Sequence, residues 1–229
     1  ENVYTLTQHD KGGAMRDLFN AEDTVGADIR YVLETNKKDD VHWLLQAAAH
    51  TPHIQTHLKK HWEEHLRVAM AYAETPHGLE IMDMLVQWAK NNNLNGQHNL
   101  GDALTLAVRS NQSHVAELLL THGADVLYRN SLVLREATKN KNWDLMALLL
   151  SKGANASAHV DAQGSIIGLV AYYRHVPTVK LLLQCGVDPK SCRSQALRVA
   201  CAENNQELFE LLYPISDPED ALCKMKEDN

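Results

Sequence analysis

The chain has 229 residues, 45% of them hydrophobic, and a net charge of −7, which fits one globular domain or a short repeat array. The acidic balance argues against nucleic acid as the main partner, because that affinity comes from Lys and Arg neutralising phosphates. No window reaches the run of about eighteen apolar residues that a membrane span needs.

No signal-like segment opens the chain, and a start at Glu1 rather than Met reads as a fragment of something longer. The cysteines, Cys185, Cys192, Cys201 and Cys223, have neither Cys-x-x-Cys nor metal-like spacing, so they read as free thiols of a reducing compartment.

Residues 1 to 13 carry little pattern and read as an arm. From Ala14 to Asn36 the apolar residues Met15, Leu18, Phe19, Val25, Ile29, Val32 and Leu33 recur at helical spacing and predict a capping unit. With Asp40 as N-cap, Trp43, Leu44, Ala47 and Ala48 predict a first helix. Thr51-Pro52 then opens a second, with Ile54, Leu58 and Trp62 as its buried stripe. The same dipeptide recurs at Thr75-Pro76, between a helix of Leu66, Ala69 and Tyr72 and a longer one of Leu79, Met82, Leu85, Val86 and Ala89. Asn91 to Gly96 reads as a loop.

From Asp102 to Leu127, Leu104 and Ala107 give one helical face, Val115, Leu118 and Leu119 a second, and Gly123 stands where a helix stops at positive φ. Neither helix is long enough to be stable alone. The arrangement recurs: a fourteen-residue interval separates Leu104 from Leu118, Leu134 from Leu148, Ile167 from Leu181, Leu197 from Leu211 and, earlier, Leu44 from Leu58. The turn recurs too, ending in Asp125, Asn155 and Asp188, which read as turn formers. Second helices are expected to start at Ser113, Asn142 and Val176-Pro177. A last, partial unit spans Gln195 to Tyr213 and is stopped by Pro214, after which Asp217-Pro218 starts a short acidic helix with Ala221, Leu222 and Met225.

A helix-turn-helix unit repeating at about 33 residues resembles the ankyrin repeat. Where that family opens its first helix with Thr-Pro-Leu-His, this chain has Asp102 to Thr105, Leu132 to Arg135, Ser165 to Gly168 and Gln195 to Arg198, so the repeats are divergent. The resemblance implies an all-α, ankyrin-type α-solenoid of about five to six repeats with N- and C-terminal capping helices. Residues 1–40 would be arm and cap, 41–214 the array and 215–229 the C-terminal cap and tail.

The resemblance also implies a non-enzymatic, monomeric protein-interaction module with no cofactor and no membrane or nucleic-acid partner. It would act in the cytoplasm, or in a host cytoplasm if the chain is like the diverged arrays of bacterial effectors. Its groove-facing places fall on Arg109 and Ser110, Lys139 and Asn140, Tyr172 and Tyr173, and Ala202 and Glu203. Its hairpin places fall on His98, Tyr128, Arg129, Asp161 and Ser191. Arg109, Tyr128, Arg129, Lys139, Asn140, Tyr172 and Tyr173 form the expected partner-binding set, basic and aromatic, suited to an acidic or extended segment.

A competing chemistry lies in His50, His53, His57, His61 and His65, the last four spaced by four. His57, His61 and His65 are candidate metal ligands, and His61-Trp-Glu-Glu-His65 matches one zinc-peptidase pattern with Glu64 as base. The row flanks the Ile54, Leu58, Trp62 stripe, so the favoured reading is a partly wetted helix edge. A metal-dependent hydrolase using this row, or the targeting part of a longer enzyme, is the alternative. A Cys192 nucleophile has no assignable base.

Overall fold

The computed structural model describes residues 25–94, 100–157, 159–160 and 164–219. Met15, Leu18, Phe19, His98, Asp161, Cys223 and the acidic C-terminal helix lie outside these residues. In chain order the elements are α1 (Val25–Glu34), α2 (Lys38–His50), α3 (Pro52–Lys60), α4 (Trp62–Ala71), α5 (Gly78–Asn91), α6 (Leu100–Arg109), α7 (Ser113–Thr121), α8 (Tyr128–Lys139) and α9 (Trp143–Ser151). Then come β1 (His159–Val160), β2 (Gly164–Ser165), α10 (Ile166–Tyr172), α11 (Val176–Gln184), α12 (Ser191–Ala202) and α13 (Gln206–Leu212). Among the described residues the fold is all-α, with one antiparallel pair of two-residue strands. It divides into two compact units, one of residues up to 103 with 114–124, the other of 104–113 with 125 onward.

In the first unit α1 buries Val25, Ile29, Val32 and Leu33, and packs on α2 and α4. The helix α2 starts at Lys38, ahead of the expected Asp40. Asp39 and Asp40 fall in its first turn instead, where a carboxylate favours the positive end of the helix dipole. Pro52 starts α3 as its fixed φ allows. Ile54 and Leu58 are buried, but Trp62 does not continue that stripe: it opens α4, and its ring stacks on Trp88 of α5 at 6.1 Å.

From Leu104 onward one plan repeats along the chain. First-helix residues Leu104, Leu134, Ile167 and Leu197 are at most 2% exposed. The paired leucines are one position later than the interval predicts: Leu119, Leu149, Leu182 and Leu212 are buried, while Leu118, Leu148, Leu181 and Leu211 are half-buried. Each interval leads into a run of leucines, and a period of 3.6 cannot choose between neighbours in such a run.

The turns after the second helices use a glycine at positive φ, 89° at Gly123 and Gly153 and 82° at Gly186. The residues read as turn formers do that work: Asp125 accepts from the Leu127 N–H at 2.8 Å, Asn155 from Ser157 at 3.0 Å and Asp188 from Lys190 at 2.9 Å. Asp217 takes Glu219 in the same way at 3.1 Å.

Between turn and next first helix the chain has two solutions. After Gly153 the connection is longer and forms the β1–β2 pair, with Ser165 capping α10 through the Gly168 N–H. After Gly123 and Gly186 it is shorter, and three residues wind left-handed: Arg129, Asn130 and Ser131, and again Cys192, Arg193 and Ser194. Right-handed helix resumes at Leu132 and Gln195. Both serines are 0% exposed, and each hydroxyl accepts a backbone N–H of the following turn, Asn155 to Ser131 at 2.7 Å and Asp217 to Ser194 at 3.0 Å.

Ser131→Ala and Ser194→Ala each leave such an N–H without its acceptor, so urea unfolding of either variant is expected to show a loss of about 1–2 kcal/mol. A second strained place lies between first and second helices, where Arg174 holds φ 59°. A non-glycine residue there is disfavoured by about 1 kcal/mol, so Arg174→Gly is expected to raise the urea midpoint rather than lower it.

Candidate partner-binding surface

The helix ends of the second unit gather charge around one carboxylate. Glu136, on α8 and largely shielded, has Arg109 at 3.4 Å, Arg135 at 3.8 Å and Lys139 at 3.8 Å. Arg109 at the end of α6 and Lys139 at the end of α8 keep about half of their side chains exposed, 54% and 40%. Three cations thus lie within 4 Å of one carboxylate on a chain whose net charge is negative.

Asn140 has a different job. Its amide donates to the carbonyls of Val108 at 2.6 Å and Arg109 at 3.2 Å, closing the C-terminal end of α6, whose carbonyls lack helical partners. Such a side chain serves the fold first.

At the end of α10 the two tyrosines form an edge-to-face pair, centroids 5.6 Å apart, with Tyr172 56% exposed. Tyr173 is half-buried because it leans on Trp143 at 6.2 Å, and Trp143 stacks on His175 at 4.5 Å and 11°. The Lys141 ammonium sits 4.7 Å above the Tyr173 ring, a cation–π geometry. Beside these rings Asn111, Asn140, Lys141, Asn142, Trp143, Asp144 and His175 line an open cleft of about 350 Å³. Trp143, Lys141 and His175 are absent from the expected set. The signal that could have found Trp143 is a tryptophan in the first turn of an outer helix, right after the capping Asn142.

The hairpin residues Tyr128 and Arg129 form their own pair, the Arg129 Nε donating to the Tyr128 hydroxyl at 3.1 Å with its guanidinium 5.1 Å from the ring. They precede the right-handed part of α8, and Lys139 ends it, so about 12 Å of helix separates the two groups. The expected set is therefore two clusters at opposite ends of a helix. Ser191 opens the second left-handed turn, and Glu203 is held by Arg174 at 2.6 Å.

The histidine row is not one helical edge. His53 and His57 belong to α3, His61 stands between helices at φ −111° and ψ 26°, and His65 is on α4, only 2% exposed. The expected wetted edge is thus wrong for His65, because the break at His61 turns the following stretch inward. The His57 and His61 rings stack at 4.4 Å and 25°, which keeps their in-plane lone pairs from converging on one point. Among the described residues no group of three His, Cys, Asp or Glu side chains is arranged to hold a metal ion. The described cysteines Cys185, Cys192 and Cys201 are free, and burial raises the Cys201 thiol above its ordinary range. No helix among the described residues is long and apolar enough to cross a membrane.

Residues 102–131, from α6 through the left-handed turn, match the model of the ankyrin repeat family. Over 93 residues, 41% of the chain, the sequence is 30% identical to an ankyrin repeat protein of Acanthamoeba polyphaga mimivirus. That stretch spans 29% of the relative's own length. The paired helices and the glycine and Asx turns that punctuate them agree with these two matches: over these stretches the chain is similar to ankyrin-repeat proteins.

Proposed function

We propose that the chain is a protein–protein interaction module whose contact surface is the helix-end face of its second unit. The observation that carries this reading is the exposed Tyr172, backed by Tyr173 and Trp143, in the same unit as the three cations around Glu136. Aromatic side chains bury large area at low entropy cost, and Arg offers several donors from a rigid plane; both dominate interface energetics. Exposed Arg109 and Lys139 in the same unit as an aromatic patch suit an extended segment carrying Asp or Glu next to an apolar residue. The pair of Tyr128 and Arg129, at the other end of α8, is a secondary contact for a segment long enough to reach it.

Free thiols at Cys185, Cys192 and Cys201 support action in a reducing compartment. The resemblance to delivered effector arrays extends the proposal to a host-cell protein as partner.

Panning the chain against a displayed library of random peptides is expected to enrich acidic sequences, with binding that weakens as salt rises. Against an enriched peptide, the pair Tyr172→Ala and Lys139→Glu should lose tenfold or more in affinity while the urea midpoint stays put, and Tyr128→Ala with Arg129→Ala should lose less. Enrichment of basic peptides, or unchanged affinity in the first pair, overturns the assignment.

A further inference from the structure

We propose that His57, His61 and His65 form an acid-sensitive latch, which holds α1 on α3 and α4 while the three rings are neutral and releases it when they are protonated. The geometry is specific. Along a straight helix His57 and His65 would be about 12 Å apart, yet the break at His61 brings their rings to 5.5 Å, with His61 at 4.4 Å from His57 and 6.5 Å from His65. Both ring nitrogens of His65 and Nδ1 of His57 are buried with no hydrogen-bond partner. From α1, Gly26 lies close against the His57 ring: a Cβ there would stand 2.8 Å from His57 Nε2.

Little nearby charge offsets an added proton. Lys60 on α3 opposes it, and on α4 Glu64 lies 3.9 Å from His61 but is shared with Arg30 of α1, which also holds Glu34 at 2.8 Å. Asp28, two residues on from Gly26, is a further carboxylate on that stretch of α1. On α5, Glu80 is paired with Lys38 and Asp83 with His122. Burial, then the charges of His57 and His61, push the His65 imidazole down to about 4, and burial lowers His57 as well.

A histidine whose folded-state pKa lies below its ordinary value contributes stability that is full above the ordinary value and is lost as pH falls through the interval between the two. For His65 that interval runs from about 6.5 down to about 4. The unfolding equilibrium constant of the first unit should therefore rise about 30-fold between pH 7.5 and pH 5 from this residue alone.

Two measurements on the full chain test the latch. Ring-proton NMR is expected to place His65 below pH 5, and hydrogen exchange, corrected for intrinsic rate, should show α1 losing protection first as pH falls from 7.5 to 5. His65→Phe should flatten the pH dependence of urea unfolding. Where that variant folds poorly, His61→Gln, which removes one repelling ring at a half-exposed site and so brings His65 closer to its ordinary range, should shift the acid transition to lower pH. An ordinary His65 titration, or α1 protection that is equal at both pH values, overturns the proposal. So does one equivalent of zinc bound with a raised melting temperature, which would make the three rings a metal site.

Discussion

Two turns of the array depend on hydrogen-bond partners from outside themselves, for the N–H groups of Asn155 and Asp217. Second helices of nine residues, α7, α9 and α11, cannot hold their own ends. The structure answers with side chains that reach across. Ser131 and Ser194 each take the N–H of the following turn, the Asn140 amide closes the end of α6, and the Gln195 carbonyl oxygen accepts the Ser165 N–H at 2.8 Å. These contacts run from one repeat to the next in sequence, so each unit is completed by its neighbour and the leucine layers between are kept at register.

The left-handed turns show what this linkage costs. Three consecutive residues at φ near +50° are disfavoured in any L-chain, and only Asn130 among the six is of a type that tolerates it well. The shorter connection leaves no room for a strand pair, so the backbone must gain its turn another way. A buried serine hydroxyl at the last of the three positions makes that turn useful, because there it faces the next repeat's backbone. The longer connection after Gly153 has no such need, and there the serine, Ser165, caps a helix instead.

Much of this was legible in the residues. Period and turn chemistry located the helix pairs, and Asp125, Asn155 and Asp188 were identifiable as turn formers because an Asx side chain acts on its own local backbone. The fourteen-residue interval lands on the buried residue at Leu58 but one place short of it in the second helices after Leu104, since consecutive leucines satisfy a helical period equally well. The left-handed turns were invisible, because Arg129, Cys192 and Arg193 are not residues that announce positive φ. At the site, exposed Tyr172 was readable from its place after the first-helix alanine. Trp143 and Lys141 were not, since they meet Tyr173 only when two repeats stack. Asn140 looked like a contact residue because nothing in a local sequence shows that an amide will be turned back onto the preceding helix.

The two units differ in which buried polar groups they leave unpaired. In the second, Ser131, Asn140, Ser194 and Gln195 are paired with backbone, while the hydroxyls of Ser191 and Ser216 are buried without a partner, and none of these side chains titrates near neutral pH. In the first, His65 is buried with two unsatisfied nitrogens, each of which costs about 1–3 kcal/mol relative to a paired group. An apolar side chain at that place would remove the deficit, and Leu58 and Trp62 nearby show that the surroundings accept one. The histidine therefore makes the first unit less stable than its packing allows, and it does so in a pH-dependent way that the second unit lacks among its buried residues.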